Sequence, residues 1–194
     1  MQRLIALLFA SLLPLSALAV SLGDPLPELQ IDEKGELILK GKDDVGFQAW
    51  SSSTLDTQGA VQIVQYMAAR PSAEKQIRPF TDKLEETAYP VELHHVTTVV
   101  NLDDVTFGMS GFALSELEKN KRQYPMSTLV GDWNGKGLKH WGFKPKSSAL
   151  VILDAQGKVI FVKDGKLDKN EVDQAIALIG KEVEKRQNAL ATNP

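Results

Sequence analysis

The chain contains no cysteine among its 194 residues. That absence excludes disulfide bonds, thiolate metal ligands, cysteine nucleophiles and thiol-disulfide exchange together. Histidine is nearly as scarce, with three copies: His94 and His95 are neighbours and His140 is remote. Adjacent residues on a strand point to opposite faces, so His94 and His95 are poorly placed to share one ion, and no metal or other cofactor is implied. No basic run interleaved with aromatics occurs, which removes nucleic acid from the expected partners. Gly108-Met109-Ser110-Gly111 has the wrong spacing for a serine nucleophile elbow. Asp132-Trp133-Asn134-Gly135 begins like a calcium loop but lacks the later acidic ligands, and reads as a hairpin turn.

Long hydrophobic runs are missing beyond the first nineteen residues. Within those, Arg3 supplies one positive charge, Leu4 to Leu13 is almost wholly apolar, and Pro14 breaks the run ahead of Ala17-Leu18-Ala19. This is the pattern of a secretory signal peptide, expected at residues 1–19 and cleaved after Ala19. The apolar run is about 10 residues, against the ~20 needed to span a bilayer, so no stable membrane insertion is expected after cleavage. Losing Arg3, the one charge in the leader, takes the formal net charge from -3 to -4. Residues 20–194 are expected to form one domain, long enough to bury a core without disulfides or metal.

The period of the apolar residues changes along the chain. Leu29, Ile31 and Leu37, Leu39 alternate on either side of Asp32-Glu33-Lys34-Gly35, which predicts an N-terminal β-hairpin turning at Gly35. Val61, Ile63, Val64 and Tyr66 predict a buried parallel strand. Pro71 suits the first turn of a helix whose apolar face is Ala73, Ile77, Phe80, Leu84 and Ala88, with Pro79 inside it. A strand over Leu93 to Val100, a polar turn at Asn101-Leu102-Asp103-Asp104, a loop over Gly108–Gly111 and a short helix with Phe112, Leu114 and Leu117 follow. Asp154-Ala155-Gln156-Gly157 predicts a second hairpin. Asp168 and Glu171 have capping-box spacing at the start of a last helix, whose core face is Val172, Ala175, Ile176, Ile179 and Val183.

That order resembles the thioredoxin-like fold, with Ile63-Val64-Gln65-Tyr66-Met67-Ala68 matching the strand that leads into a redox helix. The resemblance implies an α/β fold with a central mixed sheet flanked by helices and an added N-terminal β-hairpin. It also implies that Pro71 and Glu74 stand in the places of the two redox cysteines. Ser148 stands where a cis-proline is expected, and Gln65 where a buried aspartate is expected. More narrowly the chain is identified as a member of the YtfJ family of periplasmic thioredoxin-like proteins. Arg70 with Ser72-Ala73, the run Thr98 to Asp104, Glu118-Lys119-Asn120-Lys121 with Tyr124-Pro125, and Ser147-Ser148-Ala149 carry this resemblance. It implies a periplasmic location in a Gram-negative bacterium and no established mechanism.

Ligands of such sheets meet the carboxyl ends of parallel strands, near helix N-termini. The candidate binding edge is therefore Arg70, Pro71, Ser72, Asn101, Asp103, Asp104, Trp141, Ser147 and Ser148. Its expected partner is a periplasmic protein, a peptide or a small anion. One alternative is that Arg70 and an aspartate form a structural ion pair while the serines cap turns. A second is a hydrolase or transferase using Asp103 or Asp104 as general base and Arg70 as anion clamp. Trp50, Trp133 and Trp141 could face a ligand or the core.

Overall fold

The computed structural model describes residues 19–41 and 44–192. The expected signal peptide lies outside the described residues except for Ala19. None of the described helices is long and apolar enough to cross a membrane.

Seven strands form one mixed sheet in the order β2-β1-β5-β4-β3-β6-β7. Its centre is β3 (Val61–Ala68), with β4 (His94–Asn101) parallel to it on one side and β6 (Ser148–Leu153) antiparallel on the other. Seven of the eight β3 residues are buried, including Gln62 and Gln65, so this strand is covered on both faces, as its near-continuous apolar run predicts. Beyond β4 lies the parallel strand β5 (Thr128–Asp132). Beyond β6 lies β7 (Val159–Asp164), joined through the expected hairpin with Gly157 at φ 73°.

The N-terminal hairpin exists, but its turn is elsewhere. Strand β1 (Gln30–Leu39) runs straight through the segment read as a turn, and the chain reverses between Lys40 and Asp44 into β2 (Val45–Ser51), with Lys40 N-H bonded to Asp44 O at 2.9 Å. Asp32-Glu33-Lys34-Gly35 is instead a bulge: Ile31 faces Trp50 and the next paired residue, Glu36, faces Gln48. Lys34 takes the left-handed conformation, at φ 50°. Gly35 serves close approach rather than turning, since a Cβ there would lie 3.1 Å from the Trp50 Cβ.

Helix α1 (Pro71–Thr87) follows β3 with Pro71 at its first turn and Pro79 inside it. Ala73, Ile77, Phe80 and Leu84 are buried as the spacing requires, whereas Ala88 ends the helix in a left-handed cap, at φ 52°. Helix α2 (Ser110–Gln123) begins inside the segment expected to be a loop, and Phe112, expected on its buried face, is 60% exposed. Asp132-Trp133-Asn134-Gly135 is not a hairpin turn: it joins β5 to α3 (Lys136–Trp141). Neither of those two short elements was predicted. Helix α4 (Lys169–Thr192) starts at a true capping box, with Asp168 N-H donating to Glu171 Oε2 at 2.8 Å and Glu171 N-H to Asp168 Oδ1 at 2.9 Å.

The core divides by sheet face. Helices α1 and α4 lay Ile77, Phe80, Leu84, Val172, Ala175 and Ile179 against Val61, Ile63, Leu150 and Ile152. Opposite them, Tyr66 packs with Trp141 and Phe143 at ring separations of 5.9 and 5.7 Å, beside Trp50 and Val99. Side chains of this size each contribute about 1.5–3 kcal/mol on burial. The third cluster, Leu37, Val100, Leu102, Leu117 and Leu129, lies under α2.

Candidate functional site

Three chain segments converge where the sequence places the edge. Strand β3 ends at Ala68 and delivers Arg70 to the start of α1. Strand β4 ends in Asn101, whose buried Oδ1 accepts the Asp103 N-H at 3.0 Å and the Asp104 N-H at 3.3 Å, bending the chain sharply. The loop before β6 is tied to the end of β3 through Ala68 N-H to Ser147 O, 2.9 Å.

Arg70 and Asp104 close on one another. The Arg70 Nε donates to the Asp104 carbonyl at 2.6 Å, Nη2 donates to Val105 O at 3.4 Å, and Nη2 lies 3.3 Å from Asp104 Oδ1. Both side chains are mostly covered, at 24% and 12% exposure. The other Asp104 carboxylate oxygen accepts the Lys146 N-H. Arg70 is thus engaged by three oxygens of its own chain, and Asp104 is occupied on both sides. Asp103 instead stays exposed, apart from the ion pair beside it.

Ser147 and Ser148 meet a residue the sequence reading did not include. Gln76, one turn into α1, accepts at its single Oε1 from Ser147 Oγ (2.9 Å), Ser148 N-H (3.1 Å) and Ser148 Oγ (3.3 Å). The signal for it was its position one residue before Ile77 and three after Ala73, on the border of the buried helix face. Ser148 is 1% exposed and Gln65 5%, with the Gln65 Nε2 left without a hydrogen-bond partner among the described residues. An amide in place of a carboxylate offers no proton to pass on near neutral pH.

Trp141 does not belong to the edge. It is 1% exposed, donates its indole N-H to Pro27 O at 2.9 Å and sits in the aromatic core. Trp50 is likewise buried, and Trp133 is half-buried with its N-H on Lys34 O. Of the predicted set, Pro71, Ser72 and Asp103 face solvent, Arg70, Asp104 and Ser147 are partly covered, and Asn101 and Ser148 are internal.

A second polar centre lies behind the edge and was not predicted. The buried Asp132 carboxylate accepts from Tyr66 Oη at 2.9 Å, Gly137 N-H at 2.8 Å and Lys136 N-H at 2.9 Å, while Tyr66 Oη accepts the Leu138 N-H at 2.8 Å. Burial, followed by the adjacent Asp132 charge, pushes the Tyr66 phenol far above its usual value. Asp132 therefore satisfies the free amides at the start of α3, and its own lone pairs are spent there. Asp132 is also among the residues lining a cavity of about 240 Å³, with Asp32, Glu33, Trp133 and Lys136. Lys136 Nζ closes onto Asp32 Oδ2 at 3.0 Å and holds that carboxyl below the usual range. Among the described residues no group of three or more His, Asp or Glu side chains is placed to hold a metal ion.

Comparison with solved structures places the architecture. The chain is similar to a DsbE-type thiol:disulfide interchange protein of Chlorobium tepidum, with a TM-score of 0.54 at 20% identity, covering 83% of this chain and 99% of the other. At that identity the likeness shows the fold alone, which is thioredoxin-like. In sequence the chain is 36% identical over 181 residues to the uncharacterised protein YtfJ of Escherichia coli K12, covering 92% of this chain and 97% of that protein. It is 34% identical over 160 residues to an uncharacterised protein of Haemophilus influenzae, covering 82% and 85%. Residues 20–182 match the family described as a bacterial protein of unknown function, YtfJ_HI0045. The chain, a thioredoxin-like fold without a thiol, belongs to the YtfJ family.

Proposed function

We propose that this protein is exported to the periplasm and acts there as a non-catalytic binding module. Its contact surface is the edge formed by Pro71, Ser72 and Asp103 around the Arg70-Asp104 pair. The observation that carries this reading is the closure of the polar groups at the start of α1 onto one another. Arg70 and Asp104 satisfy each other, and Gln76 takes up Ser147 and Ser148. A general base needs a free carboxylate within reach of its substrate and an anion clamp needs a free guanidinium; Asp104 and Arg70 are committed to each other, so the exposed Asp103 has no free guanidinium to act with. A rigid edge with solvent-facing Pro71, Ser72 and Asp103 suits recognition instead.

Two measurements test the reading. Fractionation of cells should recover a periplasmic form beginning at Val20, and an uncleaved or cytoplasmic protein would overturn the location. A photo-crosslinking residue at Ser72 should capture a periplasmic partner that the same residue at Lys181, on α4, does not. Absence of any Ser72-specific adduct would remove the edge from consideration.

A further inference from the structure

An apolar feature stands beside this edge and takes no part in it. Thr106-Phe107-Gly108-Met109 is a tight turn: Met109 N-H donates to Thr106 O at 2.9 Å, and Gly108, its third residue, has φ 78°. This is the pattern of a type II turn, in which a positive φ is required at the third residue. Phe107 occupies the corner and is 102% exposed. Met109 and Phe112 follow at 42% and 60% exposure, so three large apolar side chains meet water within six residues. Such a concentration is uncommon on a soluble surface and marks an interaction site.

The turn is held firmly at its base. Arg70 bonds the carbonyls of Asp104 and Val105, and the Asp104 carboxylate bonds the Lys146 amide. The latter contact brings the segment Lys144-Pro145-Lys146 alongside. Both lysines are exposed, and neither ammonium enters an ion pair among the described residues. One exposed carboxylate, Asp103, lies on the same loop. The Lys144 amide is held by Asp164 Oδ2 at 3.0 Å, so the two lysines lie on a short segment tied to the base of this loop at Lys146. A fully solvated phenylalanine at the corner of a clamped turn, with exposed lysines on the segment bonded to its base, is complementary to an apolar layer under an anionic surface.

We propose that the loop 105–112 docks the protein on an anionic phospholipid bilayer, with Phe107 and Met109 entering the acyl boundary and Lys144 and Lys146 meeting the headgroups. A protein partner fits these observations less well. A side chain that is 102% exposed on a turn corner makes no pocket of its own and needs walls supplied entirely by its acceptor. A fluid bilayer supplies them around any protruding shape. The net charge of -4 expected for the processed chain keeps the rest of the surface away from such a membrane, which sets the orientation.

The test uses the chain from Val20 onward, which contains every strand and helix described, in co-sedimentation with vesicles of phosphatidylcholine alone or mixed with phosphatidylglycerol. Wild type should bind the mixed vesicles and not the neutral ones, and added salt should weaken binding. Phe107→Asp should lower partition roughly tenfold or more, and Lys144→Glu or Lys146→Glu about fivefold or more each. All three variants should melt as wild type does, because the changed side chains are solvated. No binding by wild type, equal binding by Phe107→Asp, or equal binding to neutral vesicles overturns the proposal. Binding of a synthetic Leu/Asp peptide that is lost in Phe107→Asp, with vesicles left unbound, overturns it in favour of a protein partner.

Discussion

Arg70 reaches two carbonyls and a carboxylate with a planar fork, and that geometry makes it irreplaceable by a point charge of the same sign. Arg70→Lys is expected to lose about 1–2 kcal/mol, as hydrogen bonds to a charged group do, read as a lower urea midpoint. Limited proteolysis should cut faster between Asp103 and Met109 in the same variant, because the carbonyls at the base of that loop would be freed. Tyr66 acts by its neutrality. Its folded phenol titrates well above the unfolded value of about 10, so the folded state holds its proton more tightly. Stability is then fully present below about pH 10 and falls as pH rises beyond it. In Tyr66→Phe, guanidinium midpoints followed into the alkaline range should lose that fall. The variant should also be less stable at neutral pH by about 1–3 kcal/mol, because the Leu138 N-H loses its acceptor.

Among the elements, α4 depends on its two ends. Asp168→Ala removes the acceptor for the Glu171 N-H and should cost about 1 kcal/mol in chemical denaturation. Near the other end, Arg186 and Glu182 are 6% and 5% exposed, and Arg186 Nη2 also bonds Thr57 O at 2.8 Å and Ala60 O at 3.3 Å. Arg186→Ala leaves the carbonyls of Thr57, Ala60 and Glu182 less satisfied while the Glu182 carboxylate keeps Lys185, and should cost about 1.5–3 kcal/mol, visible as a drop in melting temperature. The long elements were legible in the sequence because their apolar periodicity repeats: Ala73, Ile77, Phe80 and Leu84 mark α1, and the unbroken run from Val61 marks β3. The short ones were not. Strand β5 offers five residues and α3 six, each containing a glycine, too few for a period to declare itself. Gly35 misled because the same residue serves a turn and a close backbone approach, and only the position of Trp50 separates the two.

At the level of the whole molecule the fold is thioredoxin-like and the chain carries no cysteine. Pro71 and Glu74 occupy the first and fourth positions of α1, the spacing of a dithiol at a helix N-terminus. The double variant Pro71→Cys, Glu74→Cys should therefore form an intramolecular disulfide on oxidation, detected by mass spectrometry and thiol titration. Failure to close that bond would place the first turn of α1 outside thioredoxin-like geometry.

The sequence alone determined which chemistry is unavailable and which long segments become strands or helices, because residue type and nearest-neighbour periodicity are local properties. It named Arg70, Asp103 and Asp104 at the strand ends, but it also named Trp141, which is in the core, and did not name Gln76. Which polar groups satisfy each other was decided only by tertiary structure. Gln76 meets Ser148 across 72 residues and Tyr66 meets Asp132 across 66, distances in sequence that the pairing of β3 with β6 and the docking of α3 behind β3 must first bring together. Trp141 shows the same dependence: a side chain equally suited to a binding face or a core was assigned to the core by the packing of Tyr66 and Phe143 around it. Burial is a property of the assembled sheet and helices, so no single segment of the chain could have carried it.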